Sequence, residues 1–292
     1  MLTARVSSLT RLSAQIQLRR SAKLGLWLSA WVFGVATAVI SLVVIAPGFG
    51  YDAHAYWLAG RTQQPYAAAP GTLNAYLYSP VFAQLIRPLA LLPWPAFLAL
   101  WMVAETAVFI WLTAPLPLRW RIPVLLACLP EILMGNVYGY LALALVLGVR
   151  HPAAWAFPLL TKVSPGGLGL LWLAAGRHWR DLAVAVLVTS AIAACSYALE
   201  PDLWREWLRF LVAAGGADSG WTLVRTLAAA VIVVVAARLR QPWLLPLALW
   251  VGAPVLGLSS KELAIFAAMP RLWLLRPRRG PAIGVGGATG PV

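Results

Sequence analysis

The sequence is a series of long apolar runs separated by short, mostly basic loops, and this pattern restricts the chain to a membrane-embedded fold. Hydrophobic residues make up 61% of its 292 residues and charged residues only 11%, whereas soluble domains are about 25% charged. A segment in lipid must satisfy its own backbone hydrogen bonds, which a helix does. The runs are unbroken rather than alternating, which argues against a membrane barrel. We therefore predict an all-α, polytopic transmembrane helical bundle.

The apolar runs predict about eight to ten spans within a single transmembrane domain over residues 24–275. A large outer loop over 47–78 follows the first span, and residues 153–175 read as one span. Gly135-Asn136 divides the stretch 120–149 into two short helices. Further spans are predicted at 79–92, 94–114, 181–198, 220–237, 242–257 and 261–275.

One segment has the pattern of a helix that lies on the membrane surface rather than crossing it. In 202–213, apolar side chains recur at helical spacing on one face while Arg205, Glu206 and Arg209 occupy the other. This amphipathic pattern predicts an interfacial helix on the outer leaflet, or an extension of a neighbouring span.

The basic residues predict the topology. Residues 1–23 hold five Lys and Arg residues and no acid, which predicts a basic cytoplasmic N-terminal tail. The Gly- and Pro-rich residues 276–292 predict a disordered cytoplasmic C-terminal tail. We expect a multi-pass protein of the plasma (inner) membrane. The net charge of +14 is spread over loops, so it predicts contact with membrane lipids and no nucleic-acid binding.

Candidate chemistry begins in the outer loop, where Asp52, His54 and Tyr56 lie within five residues. A short helix over 51–59 would place Asp52 and Tyr56 one turn apart on one face. An acid in that position is a candidate general base toward a hydroxyl group. Alternatively, Asp52 caps the helix or pairs with Arg61, and His54 makes an ordinary hydrogen bond.

Two basic residues inside apolar runs are candidate ligands for a phosphate. Lys162 stands in T-K-V-S-P-G-G, and a cation in a span needs a partner such as a phosphate group. Its alternative is a structural ion pair with Glu131 or Glu105. Arg225 is the second candidate, with snorkelling to the outer interface as its alternative. No Gly-rich phosphate loop and no zinc-ligand spacing is present, so we assign no metal-binding residue and no cofactor.

The order of several short motifs resembles the polytopic glycosyltransferases of family 87. The motifs are D-A-H-A-Y-W at Asp52–Trp57, a G-x-x-x-x-P-Y stretch ending at Tyr66, and Y-x-P at Tyr78–Pro80. Asn136 followed by Tyr138-Gly139 resembles an N-x-G-Q region, and Lys162 with Pro165 resembles a K-P element. The similarity covers roughly residues 30–275.

The resemblance implies a C-type glycosyltransferase fold and an inverting reaction at the outer membrane face. The donor would be a polyprenyl-phosphate sugar, such as mannose or a related hexose or pentose, and the acceptor a lipid or glycan. Asp52 would be the catalytic base. Substrate-binding residues would be His54, Tyr56, Tyr66, Tyr78, Asn136, Lys162 and Arg225.

Two positions depart from the family pattern. Tyr140 replaces the glutamine of N-x-G-Q, and the late-span element that usually carries a His reads Ser259-Ser260-Lys261-Glu262. A different class of function, a transporter or flippase for a lipid or a small anion, would use Lys162 and Glu131 as groups near the membrane midplane. Its expected inverted repeats are not evident in the sequence.

Overall fold

The computed structural model describes the backbone of residues 2–44, 48–214, 220–253 and 260–276. The side chains of 2–20, 164–165, 214, 260 and 261 lie outside this description, as does most of the predicted C-terminal tail. The described chain is all-α, without strands. This confirms the predicted fold class.

The helices follow one another with short connections. They are α1 (Leu2–Val44), α2 (Tyr51–Ala59), α3 (Pro80–Ala90), α4 (Trp94–Thr113), α5 (Leu118–Ala127), α6 (Leu129–Met134), α7 (Tyr138–Gly148), α8 (Ala156–Thr161), α9 (Val163–Ala175), α10 (Trp179–Leu199), α11 (Pro201–Ala214), α12 (Gly220–Arg238), α13 (Leu245–Val251), α14 (Ser260–Leu263) and α15 (Met269–Leu274). Short 3₁₀ turns at Pro152–Trp155, Pro242–Leu244 and Ala264–Ala268 precede α8, α13 and α15.

Among the described residues, four helical segments are long and apolar enough to cross a membrane. They are Ser21–Val44, Trp94–Thr113, Trp179–Leu199 and Gly220–Arg238. Many of their large apolar side chains are exposed, including Val32, Val103 and Leu187. Such an extensive apolar surface is incompatible with water and fits a lipid environment.

The other apolar helices are shorter than the predicted spans. Tyr138–Gly148, Gly166–Ala175, Pro242–Val251 and Ala264–Leu274 have 10–17 residues each. At 1.5 Å per residue, a ten-residue helix covers about 15 Å, half of a hydrocarbon core of about 30 Å. The predicted eight to ten spans are therefore not matched by eight to ten full-length helices among the described residues.

Several predicted segments differ from the observed ones because prolines and glycines end helices early. The segment 79–92 contains only the 11-residue α3. Three helices, α5, α6 and α7, occupy 120–149, where two were expected. The predicted span 153–175 is divided at Lys162, which lies between α8 and α9 in extended backbone with φ −126°. Pro165 explains this break, because it has no N–H to donate to the carbonyl of Thr161.

The N-terminal segment and α11 also bear on the sequence predictions. Residues 2–44 form one continuous helix, so the predicted tail 1–23 is helical from Leu2 and runs without a break into the first span. The predicted interfacial helix 202–213 corresponds to α11, whose Leu203 is buried while Leu208 and Val212 are exposed.

Candidate functional site

The Asp52 carboxylate lies in the first turn of α2, where the amide of Asn136 binds it. Asn136 Nδ2 donates to Asp52 Oδ2 at 2.7 Å, across 84 residues of sequence. Gly50 is the N-cap of α2, and no side chain caps the helix. The backbone N–H of Gly50 donates to the carbonyl of Leu133 at 2.7 Å. The start of α2 is thus fastened to the end of α6, and Asp52 is half-buried at this junction.

The link between α6 and α7 is a tight turn with its polar groups satisfied internally. Gly135 ends α6 in the left-handed region with φ +66°, a conformation that favours glycine. Asn136 is almost fully buried, and its Oδ1 accepts the N–H of Val137 at 2.6 Å. Both ends of the Asn136 amide are therefore used, and its orientation toward Asp52 is fixed.

Three predicted tyrosines surround this junction and are joined through Tyr78. The hydroxyl groups of Tyr56 and Tyr78 are 2.9 Å apart, and the Tyr66 hydroxyl donates to the backbone carbonyl of Tyr78 at 2.9 Å. Burial, followed by the nearby charge of Glu206, raises the pKa of Tyr66 above its ordinary value. Tyr66 therefore stays a neutral hydrogen-bond donor at physiological pH.

Lys162 reaches the same region from the break between α8 and α9. Its Nζ lies 3.7 Å from the centre of the Tyr138 ring and 5.9 Å from the centre of the Tyr78 ring. A cation over an aromatic face is attracted by the ring quadrupole. The side-chain hydroxyl of Ser79 donates to the Leu160 carbonyl and holds the end of the α2–α3 loop against α8.

Asp52, Tyr56, Tyr66, Tyr78, Asn136 and Lys162 are therefore brought together by four irregular segments of the chain. These segments precede α2, α3, α7 and α9. A carboxylate, an ammonium group and tyrosine hydroxyls lie around one region, which can bind polar groups of a ligand and accept a proton from a hydroxyl. We call these six residues the Asp52 cluster.

Two residues that were predicted to bind substrate, His54 and Arg225, make their described contacts outside the Asp52 cluster. His54 lies on another face of α2, where its Nδ1 is 2.7 Å from Asn74 Oδ1 and its ring packs edge-on against Trp94. Arg225 is buried in α12 and donates to the backbone carbonyls of Val251 and Ala253 at the end of α13. Those carbonyls could not be identified from the sequence, because their position depends on how α12 packs against α13.

Tyr140, at the position of the family's glutamine, contacts Trp101 and Phe157. Its hydroxyl donates to the Trp101 carbonyl at 3.3 Å, and its ring lines an apolar cavity of about 330 Å³ beside Phe82 and Phe157. The other departure is only partly described: Ser259 lies outside the described residues, as do the side chains of Ser260 and Lys261, while Glu262 is buried.

Glu131 is a residue of this region that the sequence indicated as an ion-pair candidate for Lys162 and as a midplane group of a transporter, and not as part of a transferase site. It is fully buried, and its Oε1 accepts the backbone N–H of Tyr138 at 2.5 Å. The Glu105 carboxyl lies beside it. An acid in an apolar run just before Gly-Asn was the available signal. Among the described residues, no group of three or more His, Cys, Asp or Glu side chains could hold a metal ion.

A groove lies between the loop that joins α2 to α3 and helix α11. It has a volume of about 430 Å³, and its lining combines apolar and charged side chains. The rings of Tyr66 and Phe210 form one side, with centroids 5.7 Å apart, and Glu206 and Arg209 contribute charge. Tyr66 thus belongs both to this groove and, through its hydroxyl group, to the cluster.

Comparison with known proteins adds one family match. No curated protein and no solved structure matches the chain. The model of glycosyltransferase family 87 matches residues 76–290, which is most of the chain and includes Tyr78, Asn136 and Lys162. This match favours a glycosyltransferase over a transporter. The chain belongs to glycosyltransferase family 87.

Proposed function

We propose that the protein transfers a sugar from a polyprenyl-phosphate donor to a lipid or glycan acceptor at the outer face of the plasma membrane, with inversion at the anomeric carbon. The sugar would be mannose or a related hexose or pentose, and the fold would be of the C type. Two observations carry this proposal: Asn136 donates a hydrogen bond to Asp52, and the ammonium group of Lys162 lies over the ring of Tyr138, two residues after Asn136.

In this mechanism Asp52 is the general base. It accepts the proton of the acceptor hydroxyl while that oxygen attacks the anomeric carbon, and the bond from the anomeric carbon to the phosphate oxygen breaks. Asn136 Nδ2 binds Asp52 Oδ2 at 2.7 Å, and a carboxylate offers about four lone-pair sites for hydrogen bonds over its two oxygens. The amide also fixes the direction of the carboxylate, as positioned catalysis requires.

Lys162 is the proposed contact for the leaving phosphate. An ammonium group near the developing negative charge lowers the barrier most where water is excluded. The Lys162 Nζ lies over the ring of Tyr138 and near that of Tyr78. We assign the phosphate to Lys162 rather than to Arg225, because Tyr138 is two residues from Asn136, which binds Asp52, whereas Arg225 donates to carbonyl groups at the end of α13.

The apolar surface beside the cluster fits the hydrocarbon chain of such a donor. The cavity that Tyr140 lines is adjacent to a second one of about 320 Å³, and the two share Phe82, Leu85 and Phe157. Phe82 packs against the Tyr78 ring of the cluster, with centroids 5.3 Å apart. A lipid chain in these cavities would place its phosphate next to the cluster.

The proposal is tested with Asp52→Asn in membranes supplied with synthetic polyprenyl-phosphate donors that carry radiolabelled hexoses or pentoses. We expect transfer into extracted lipid or glycan to fall about 10²–10⁴-fold, the usual contribution of a general base. Asp202→Asn is the control, because Asp202 is an exposed acid paired with Arg205. Full activity of Asp52→Asn would contradict the role of Asp52 as the base. If the wild-type protein transfers no sugar from any of these donors, the proposed donor class is wrong.

A further inference from the structure

We propose that Glu131 is a positioning residue for the transfer reaction: its buried carboxylate fixes the α6–α7 link so that Asn136 faces Asp52 and Tyr138 lies under Lys162. This inference rests on the proposed function, since it assigns Asp52 and Lys162 their roles. Glu131 itself would not touch the substrate.

Glu131 holds the link at both ends. Its carboxylate accepts the N–H of Tyr138, the first residue of α7, at 2.5 Å. Its backbone carbonyl accepts the N–H groups of Gly135 at 2.9 Å and Asn136 at 3.4 Å. One residue of α6 therefore binds three successive parts of the turn. A buried N–H at a helix start is costly to leave unpaired, so the carboxylate stabilises this turn in particular.

Two side chains of the link contact the two charged groups of the cluster. One is the Asn136 amide, which donates to Asp52. The other is the Tyr138 ring, whose centre lies 3.7 Å from Lys162 Nζ. A shift of the link by one ångström would therefore displace the partners of the proposed base and of the proposed phosphate contact together.

The surroundings of Glu131 leave the carboxylate little freedom to move. Glu131 and Glu105 are both fully buried, and the Glu105 carboxyl lies against that of Glu131. A Cβ atom on Gly139 would stand 3.0 Å from Glu105 Oε1, so α7 packs closely on this pair. Water cannot replace a lost carboxylate oxygen in such a position without a cavity.

The experiment compares Glu131→Met with Glu131→Gln. Gln keeps an acceptor oxygen for the Tyr138 N–H, whereas Met has nearly the same length and no such acceptor. We expect Glu131→Met to lower kcat about 10²-fold, the effect of a misplacement of about 1 Å, with KM for donor and acceptor changed less than threefold. Glu131→Gln should retain most of kcat. The matched control is Asp181→Met, because Asp181 is an exposed acid in the first turn of α10.

The results separate this inference from the proposed function. Loss of transfer in Asp52→Asn together with full kcat in Glu131→Met would overturn the positioning role alone. Equal losses in Met and Gln would also overturn it, because the charge rather than the acceptor oxygen would then matter. If Glu131→Met is not recovered folded, Asn136→Ala must show the same loss of kcat at unchanged KM, and an unchanged kcat there would refute the role of the link.

Discussion

The close packing of Gly135, which ends α6, against Ala53 of α2 predicts that a single added methyl group will separate Asp52 from Asn136. A Cβ atom on Gly135 would stand 2.6 Å from Cβ of Ala53, the neighbour of Asp52. Carbon atoms normally rest about 3.5–4.0 Å apart, so Gly135→Ala requires the two segments to move apart by about 1 Å. Because Asn136 follows Gly135 directly, the hydrogen bond to Asp52 must lengthen or break.

The expected magnitudes follow from two separate costs. Alanine at φ +66° costs about 1–2 kcal/mol in backbone strain, and the steric overlap adds about 1–3 kcal/mol, as overpacking of a core does. Displacing a positioned catalytic group by about 1 Å lowers the rate about 10²-fold. Gly135→Ala should therefore lower both the free energy of unfolding and kcat.

Gly71→Ala separates these costs. Gly71 in the loop between α2 and α3 has φ +82°, and a Cβ atom there would meet no atom within 4 Å. This variant carries the same kind of backbone strain without the overlap, so we expect it to lose stability but to keep kcat within about twofold. For both variants, stability is measured by thermal unfolding in nanodiscs, and kcat by sugar transfer with saturating donor. Equal kcat values for the two variants would refute the proposed coupling between the link and Asp52.

Three further predictions concern the tyrosine pair, an ion pair and the topology. Tyr56→Phe should lower the unfolding free energy by about 1–3 kcal/mol, because a buried hydroxyl loses its partner; an unchanged melting temperature would contradict this. The ion pair with Arg87, at 2.6 Å, holds the pKa of Glu200 below its ordinary value of 4.5. The ion pair should contribute about 0.2–1 kcal/mol to the free energy of unfolding, in full above pH 4.5. This contribution should be lost as the pH falls through the lower pKa of Glu200 in the folded protein. Melting curves of wild type and Glu200→Gln should therefore converge in acid. In intact cells, an impermeant maleimide should label Leu73→Cys and spare Arg180→Cys, measured without the native exposed cysteine; the opposite result would invert the proposed orientation.

The sequence predicted individual helices where polar and apolar residues recur at helical spacing. A short helix over 51–59, which the sequence analysis considered as a condition for the pairing of Asp52 and Tyr56 on one face, is present as α2, and the amphipathic pattern of 202–213 corresponds to α11. The resemblance to family 87 also placed Asp52, Asn136 and Lys162 in one site, although no local pattern relates residues that far apart in sequence. The family match confirms the resemblance.

The rest could not be predicted because helices in lipid are apolar on every side. Such helices have no polar face that reveals their orientation, so the sequence could not show that Arg225 turns toward the end of α13. Helix boundaries inside continuous apolar runs were equally hidden. Lys162 was expected within a span, but it forms the break between α8 and α9, and α3 is too short for the span expected at 79–92.

Those breaks explain why the cluster lies where it does. Irregular backbone at membrane depth is tolerated only where it is buried in protein or faces a wet cavity. Leu133 and Leu160 accept hydrogen bonds from the breaks before α2 and α3, and Asn136 and Glu131 accept N–H groups within the break before α7. A bundle of uninterrupted apolar helices could hold neither a carboxylate nor an ammonium group at low cost. The interruptions that limit α3, α6 and α8 to eleven residues or fewer thus create the polar environment that a sugar-transfer reaction requires.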